Sequence, residues 1–173
     1  MAYIRSFEIF HVDLPFKIKF KHAAAVRQFS NSIFLKAVAY DGTIGFGECL
    51  PRPYVTGETQ YSCWKLLSES MLPKILGMKF SDYTAVHGFL RECDGTAPAD
   101  WVTPEVAQTS AWCAVDLSLL DCFGKVFKEP VLPREQLQFN KSLKYSGVAS
   151  ADEGWKFTKT ALKFRLYGIK HVK

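Results

Sequence analysis

The stretch DGTIGFGECLPRPYVTGET, Asp41 to Thr59, organises the reading of the whole chain. Asp41-Gly42 between two apolar runs signals a hairpin, because both central residues of a type I′ turn need positive φ. Thr43 to Glu48 follows as a short strand interrupted by glycines. Pro51 and Pro53 punctuate a loop, and Thr56-Gly57-Glu58-Thr59 opens a helix.

Upstream of the turn, Ser32 to Tyr40 alternates, with Ile33, Leu35, Ala37 and Ala39 on one face, and pairs with Thr43 to Glu48. Ile4 to Leu14 supplies a third strand, with Phe10, Val12 and Leu14 of one parity and Phe7 and Ile9 of the other. Pro15 is expected to end it, since proline cannot donate into a central ladder. Lys17 to Asn31 is basic and rich in small residues, with no clear period. The expectation is a three-stranded antiparallel sheet.

Downstream, helices dominate. Thr59 to Leu76 places Trp64, Leu67, Met71 and Leu72 at helical spacing, with Gly77 as the stop. Ser81 is the expected N-cap of a shorter helix through Val86, Phe89 and Leu90. Thr103-Pro104-Glu105 is a compact start signal for a helix to about Phe123, closed by Gly124. Its small residues Ala107, Ala111, Ala114 and Ser118 would let another element approach closely. Asp116 and Asp121 invite a catalytic reading on so apolar a helix. Carboxylates accepting hydrogen bonds at the edge of a packed seam are the preferred account, because buried charge persists only when paired.

Glu129 to Glu135, EPVLPRE, is the expected domain boundary. Beyond it, Ser142 to Ala149 reads as a strand, Asp152 to Tyr167 as a helix and Ile169 to Lys173 as a second strand. Such a unit implies parallel strands joined by a crossover helix. Phe157, Ala161 and Phe164 form one stripe of that helix, with Trp155, Leu162 and Leu166 roughly opposite, so both sides need cover.

The 173 residues suit one domain, or one and part of another, and 48% hydrophobic content suffices for a packed core. No apolar run approaches the roughly 18 residues of a membrane span, and the N-terminus lacks a secretory h-region. The chain is therefore expected to be cytoplasmic and free of the membrane. Its five cysteines, Cys49, Cys63, Cys93, Cys113 and Cys122, show no CxxC or zinc-finger spacing and read as reduced structural thiols, with Cys113 and Cys122 buried. From Lys141 onward eight basic residues face two acidic ones. They are dispersed through a helix pattern, so a solvated face is preferred to nucleic-acid binding.

The order of strand, DG turn, GxGE, proline loop and TGET helix start resembles the N-terminal capping domain of the enolase superfamily, in its muconate-lactonizing and mandelate-racemase-like branch. AWCAVDLSLLDCFGK resembles that family's packing helix. The resemblance implies an α+β fold. Residues 1–130 would form a capping domain, a three-stranded antiparallel sheet followed by a helical bundle. Residues 131–173 would form the first βα unit of an incomplete TIM barrel. It also implies a magnesium-dependent parent enzyme, a racemase, epimerase or cycloisomerase abstracting a proton α to a carboxylate. Its partner would be a small carboxylate substrate.

In the family, the first long loop and the proline loop help to select substrate. Here those are the segment around Phe20 to Ser30 and Leu50 to Thr56, offering His22, Arg27, Tyr54 and Thr56 as specificity residues. The family's Lys-x-Lys motif falls on GIKHVK, where only Lys173 fits, as the motif's first lysine; Lys170 is three residues away and points to the other strand face. The three carboxylate magnesium ligands lie on later barrel strands. These residues alone are therefore expected to bind no metal and to be inactive. Glu48 is a tempting general base, but a carboxylate ending an edge strand is read first as capping local N–H groups. The rival reading is a non-catalytic module that forms homo-oligomers through an exposed strand and the Trp155 and Leu166 surface.

Overall fold

Three strands meet in one antiparallel sheet of order β1-β2-β3: β1 (Ile4–His22), β2 (Ala25–Ala39) and β3 (Ile44–Cys49). The computed structural model describes residues 1–22, 25–131, 142–149 and 154–172. These fall into two compact units, Met1–Leu14 with Ser30–Gln136 and Pro15–Phe29 with Leu137–Lys173.

In the first unit, the Asp41-Gly42 turn joins β2 to β3, with Gly42 at φ +88°. The two strands pair from Ile33↔Cys49 to Val38↔Ile44. β3 alternates without exception between exposed and buried, and its inward residues are Gly45, Gly47 and Cys49. The absent side chains let α4 (Thr109–Phe127) lie directly on the strand. A Cβ on Gly47 would meet the Ala114 carbonyl oxygen, and one on Gly45 the Cys122 backbone nitrogen. The small-residue row of α4 thus receives β3, although Ala107 lies outside the helix.

α1 (Gln60–Lys65), a π-helical turn (Leu66–Met71) and α2 (Leu72–Ile75) form one continuous helical path. Pro73 lacks an N–H for an ordinary helical bond, and the widened turn just ahead accommodates it, with Leu72 N–H bonding Leu67 O. Thr59 caps α1 in a reciprocal box with Ser62. α3 (Tyr83–Cys93) starts one residue later than the sequence suggested: Asp82 is the N-cap, accepting from Ala85 N–H at 2.8 Å, and Ser81 bonds the Asp82 carboxylate. Trp112, Phe123, Leu67, Met71, Val86 and Leu119 fill the core between helices and sheet. Trp64, at helical spacing with Leu67 and Met71, is more exposed than they are and meets His11 edge-on at 4.7 Å.

Five further readings change. β1 runs through Pro15 to His22, because β1 is an edge strand and an edge has unpaired positions where a missing N–H costs nothing. Lys17 to Asn31 is accordingly a pair of strands, apart from residues 23–24 outside the description, and not a loop. Thr103-Pro104 forms a turn closed by Val106 N–H to Thr103 O at 3.0 Å, and α4 begins at Thr109, five residues after Pro104. Gly124 lies inside α4, which ends at Lys128 with φ +57°. Cys113 is exposed, because it lies on the outer side of α4; the other four thiols are buried, and all five are free.

In the second unit, β4 (Ser146–Gly147) and β5 (His171–Val172) pair in parallel across α5 (Trp155–Leu166). The β-α-β unit is present with shorter strands than expected. Gly147 packs so closely on the Phe164 ring that a Cβ would lie 2.9 Å from it; Ala161 is half-buried like Phe164, whereas Phe157 of the same stripe stays exposed. No α5 residue is fully buried, and Trp155, Leu162 and Leu166 are exposed.

Candidate functional site

The proline loop from Leu50 to Thr59 is anchored at both roots. At one end Cys49 closes β3 and is buried. At the other, Glu58 is fully buried, and its carboxylate gathers three donors. Ser110 N–H reaches Oε2 at 2.8 Å and Ala111 N–H reaches Oε1 at 3.0 Å. The Cys63 thiol donates to Oε1 at 3.3 Å.

α4 has no side-chain cap of its own, so Glu58 serves as a cap delivered from another segment. A carboxylate is favoured there because the first N–H groups of a helix lack partners and carry partial positive charge. This is the central polar contact of the unit, and no local capping signal pointed to it.

Between the roots the loop turns on one carbonyl. Arg52 O accepts from Val55 N–H at 2.8 Å and from Thr56 N–H at 2.9 Å. Tyr54 and Val55 stand exposed at the tip, and Thr56 is half-buried. Arg52 Nε and Gln60 Nε2 are buried atoms without a hydrogen-bond partner among the described residues. Buried donors normally find acceptors, so Arg52 joins the candidate residues; a Pro-Arg-Pro context gave no reason to single it out.

Tyr54 and Thr56 therefore sit together on the loop of the first unit. Arg27 lies half-buried in β2 and belongs to the second unit, while His22 is the last residue of β1. Both come from strands and not from the expected loop. Lys173 lies outside the described residues. Glu48 is exposed on β3, opposite Phe34, and lines an apolar groove of about 300 Å³ with Phe46, Leu117, Leu120 and Val131. Nothing hydrogen-bonded orients it among the described residues.

Asp121 has the structural role expected of it. It accepts from Phe46 N–H at 2.8 Å and Lys125 Nζ at 2.7 Å, while Lys125 also donates to Ile44 O at 3.0 Å. Together they occupy outward-facing backbone groups of the β3 edge. Asp116 is half-buried, and burial raises its carboxyl pKa, opposed by the charge of His87.

The second unit carries a cavity of about 410 Å³ lined by Lys144, Tyr145, Tyr167, Lys170 and His171. It lies where β4 and β5 begin, whereas barrel enzymes work at the ends where strands finish. Among the described residues no three His, Cys, Asp or Glu side chains are grouped to hold a metal ion. No described helix is long and apolar enough to cross a membrane.

No protein-family model matches the chain. In sequence it is 28% identical over 128 residues to the L-Ala-D/L-Glu epimerase of Clostridium acetobutylicum, covering 74% of this chain and 33% of that protein. In fold it matches a dipeptide epimerase from Methylococcus capsulatus, solved with Mg and the dipeptide L-Arg-D-Lys. That match has TM-score 0.75 and 19% identity and covers 98% of this chain and 45% of the other. A mandelate racemase/muconate lactonizing protein from Herpetosiphon aurantiacus matches at TM-score 0.72 and 22% identity, covering 98% and 44%. The fold is that of the enolase N-terminal cap with a following β-α-β segment. The chain resembles the N-terminal part of enolase-superfamily racemases and epimerases, and spans about a third of the length of the curated relatives it matches.

Proposed function

We propose that residues 1–130 form the capping domain, and residues 131–173 the opening of the barrel, of an enzyme that abstracts a proton α to a carboxylate. Racemisation or epimerisation is the leading reaction, with cycloisomerisation the alternative within the same chemistry. The observation that carries this reading is the sequence similarity to an L-Ala-D/L-Glu epimerase, extending over 74% of the chain, on a fold shared with dipeptide epimerases.

The roles assigned to this chain's residues are those of recognition. Tyr54 presents a rigid amphipathic surface, and Thr56 offers a hydroxyl beside it. Arg27 supplies a two-pronged donor for a carboxylate, with His22 close in sequence. Arg52 adds a second guanidinium at the root of the loop. Lys173 takes the part of the first lysine of the Lys-x-Lys motif. Because the described residues offer no set of metal ligands, the 173 residues alone should not turn substrate over.

The test is α-proton exchange in D2O, followed by proton NMR on a panel of L,L-dipeptides and N-succinyl amino acids with Mg²⁺. The product of the complete reading frame should exchange at least one panel member, and the 173-residue chain none. Exchange by the 173-residue chain, or none by the complete product across the panel, would overturn the reading.

The second reading, a homo-oligomeric interaction module, draws on one observation: α5 leaves Trp155, Leu162 and Leu166 exposed. Concentration-dependent species in sedimentation velocity would support it; a monomer throughout would count against it.

A further inference from the structure

The cavity of about 410 Å³ in the second unit takes no part in the proposed proton abstraction. Its walls come from two short stretches that parallel pairing brings together. β4 and β5 pair with Ser146 opposite His171, so Lys144 and Tyr145 enter one strand beside Lys170 and His171 entering the other. Tyr167 and Gly168, from the turn that ends α5, complete the wall. Three bonds fix that turn: Tyr167 N–H to Lys163 O at 3.0 Å, Gly168 N–H to Arg165 O at 3.1 Å and Ile169 N–H to Phe164 O at 2.9 Å. Gly168, at φ +72°, makes the reversal.

Charge and exposure then narrow the ligand. Of the described residues that line the cavity, three are basic, Lys144, Lys170 and His171, and none is acidic. None of the three forms an ion pair with a described residue. The partial negative charge at the C-terminus of α5 is answered by Lys163 and Arg165 in its own last turn, which leaves the cavity's cations uncommitted. Tyr145 and Tyr167 are 74% and 81% exposed, and neither ring packs on another ring among the described residues. Lysine grips phosphate as a point charge, whereas carboxylate suits arginine's two-pronged fork, and no arginine lines the cavity. A tyrosine face is a platform for a planar base. The volume falls within the range of about 300–1,000 Å³ usual for small-ligand pockets.

We propose that this cavity binds a nucleoside phosphate, its phosphates held by Lys144 and Lys170 and its base laid against Tyr145 and Tyr167. The assignment goes beyond the catalytic reading and does not depend on it, because the residues stand where the strands begin and the ligand is recognised by phosphate.

The test is isothermal titration calorimetry of ADP, without added metal, into the product of the complete reading frame. Stacking tolerates any base, so ADP stands for the class. Binding should be saturable and weakened by added salt. Lys144→Gln with Lys170→Gln should weaken it at least about tenfold, and Tyr167→Ala about fivefold or more. Lys159→Gln, an exposed change on α5 outside the cavity, should bind like wild type. Circular dichroism establishes that each variant is folded. The proposal fails if ADP does not bind at millimolar concentration, or if the double-lysine variant binds it like wild type. It fails equally if inorganic pyrophosphate binds as tightly as ADP, which leaves the rings without a role, or if a single-stranded oligonucleotide binds more tightly than ADP.

Discussion

Gly47→Ala should be among the most damaging single-methyl additions this fold can receive. The new Cβ would run into the Ala114 carbonyl oxygen, with Ala114 C at 2.9 Å and Ser118 N at 2.8 Å. These are backbone atoms in the middle of α4, so no side chain can swing aside and the helix must move off the strand by about an ångström. Overpacking a core costs about 1–3 kcal/mol, and an obstacle of backbone puts this case at or above about 3 kcal/mol. Small domains hold only about 5–15 kcal/mol in total. With a urea slope of about 1.5 kcal/mol per molar, the midpoint should fall by about 2 M.

Gly88→Ala is the internal control. It lies within α3 with nothing within 4 Å of its would-be Cβ, so alanine should be neutral or stabilise by up to about 1 kcal/mol. Urea denaturation followed by tryptophan fluorescence reads both variants. A Gly47→Ala unfolding free energy within about 0.5 kcal/mol of wild type would refute the packing argument, because that is the size of an ordinary surface change.

Glu58→Ala should cost about 3 kcal/mol or more, since it strands three donors inside the protein, and should speed amide exchange at Ser110 and Ala111; unchanged exchange there would contradict the capping role. Asp82 has its pKa lowered, first by the Ala85 N–H and then by the Ser81 hydroxyl. A depressed folded pKa means stability present above the ordinary carboxylate value and lost as pH falls through the folded one. Asp82→Asn should therefore keep the cap but lessen the acid-limb loss of thermal stability, and an unchanged acid limb would count against it. The Asp121→Ala, Lys125→Ala double variant uncovers the β3 edge and should shift sedimentation toward larger species at high concentration. In the complete enzyme, Arg27→Ala should lower kcat/KM by about 10- to 100-fold on carboxylate substrates, the loss of one charge-assisted bond.

The hairpin, the three-strand sheet and the β-α-β ending were legible because each rests on local chemistry: an Asp-Gly turn, alternation in Ile33 to Ala39, and a helical stripe through Phe157, Ala161 and Phe164. The small-residue row of α4 announced a close neighbour, and Gly45 and Gly47 made β3 that neighbour. What local pattern could not supply was chemistry carried over distance. Thr103-Pro104 looks like a helix start, yet α4 begins at Thr109 because Glu58, 51 positions earlier, caps it there. Pro15 looks like a stop, yet an edge strand absorbs it. The resemblance puts His22 and Arg27 in a substrate-selecting loop, and the aperiodic sequence around them offers nothing to correct it, yet both lie in strands. Tyr54 and Thr56 are candidates through the resemblance of the proline loop together with residue type; Arg52 and Glu58 needed the burial that only the fold reveals.

The central claim, that these residues are the front of a larger proton-abstracting enzyme, is tested most directly by weighing the intact native protein and reading its gene past codon 173. The account predicts a mass more than double the 19.6 kDa of these residues, since they cover less than half of the solved relatives. It predicts a second lysine two positions after Lys173 and carboxylates ending three later strands. A native protein of 19.6 kDa, with a stop codon directly after Lys173, would contradict it.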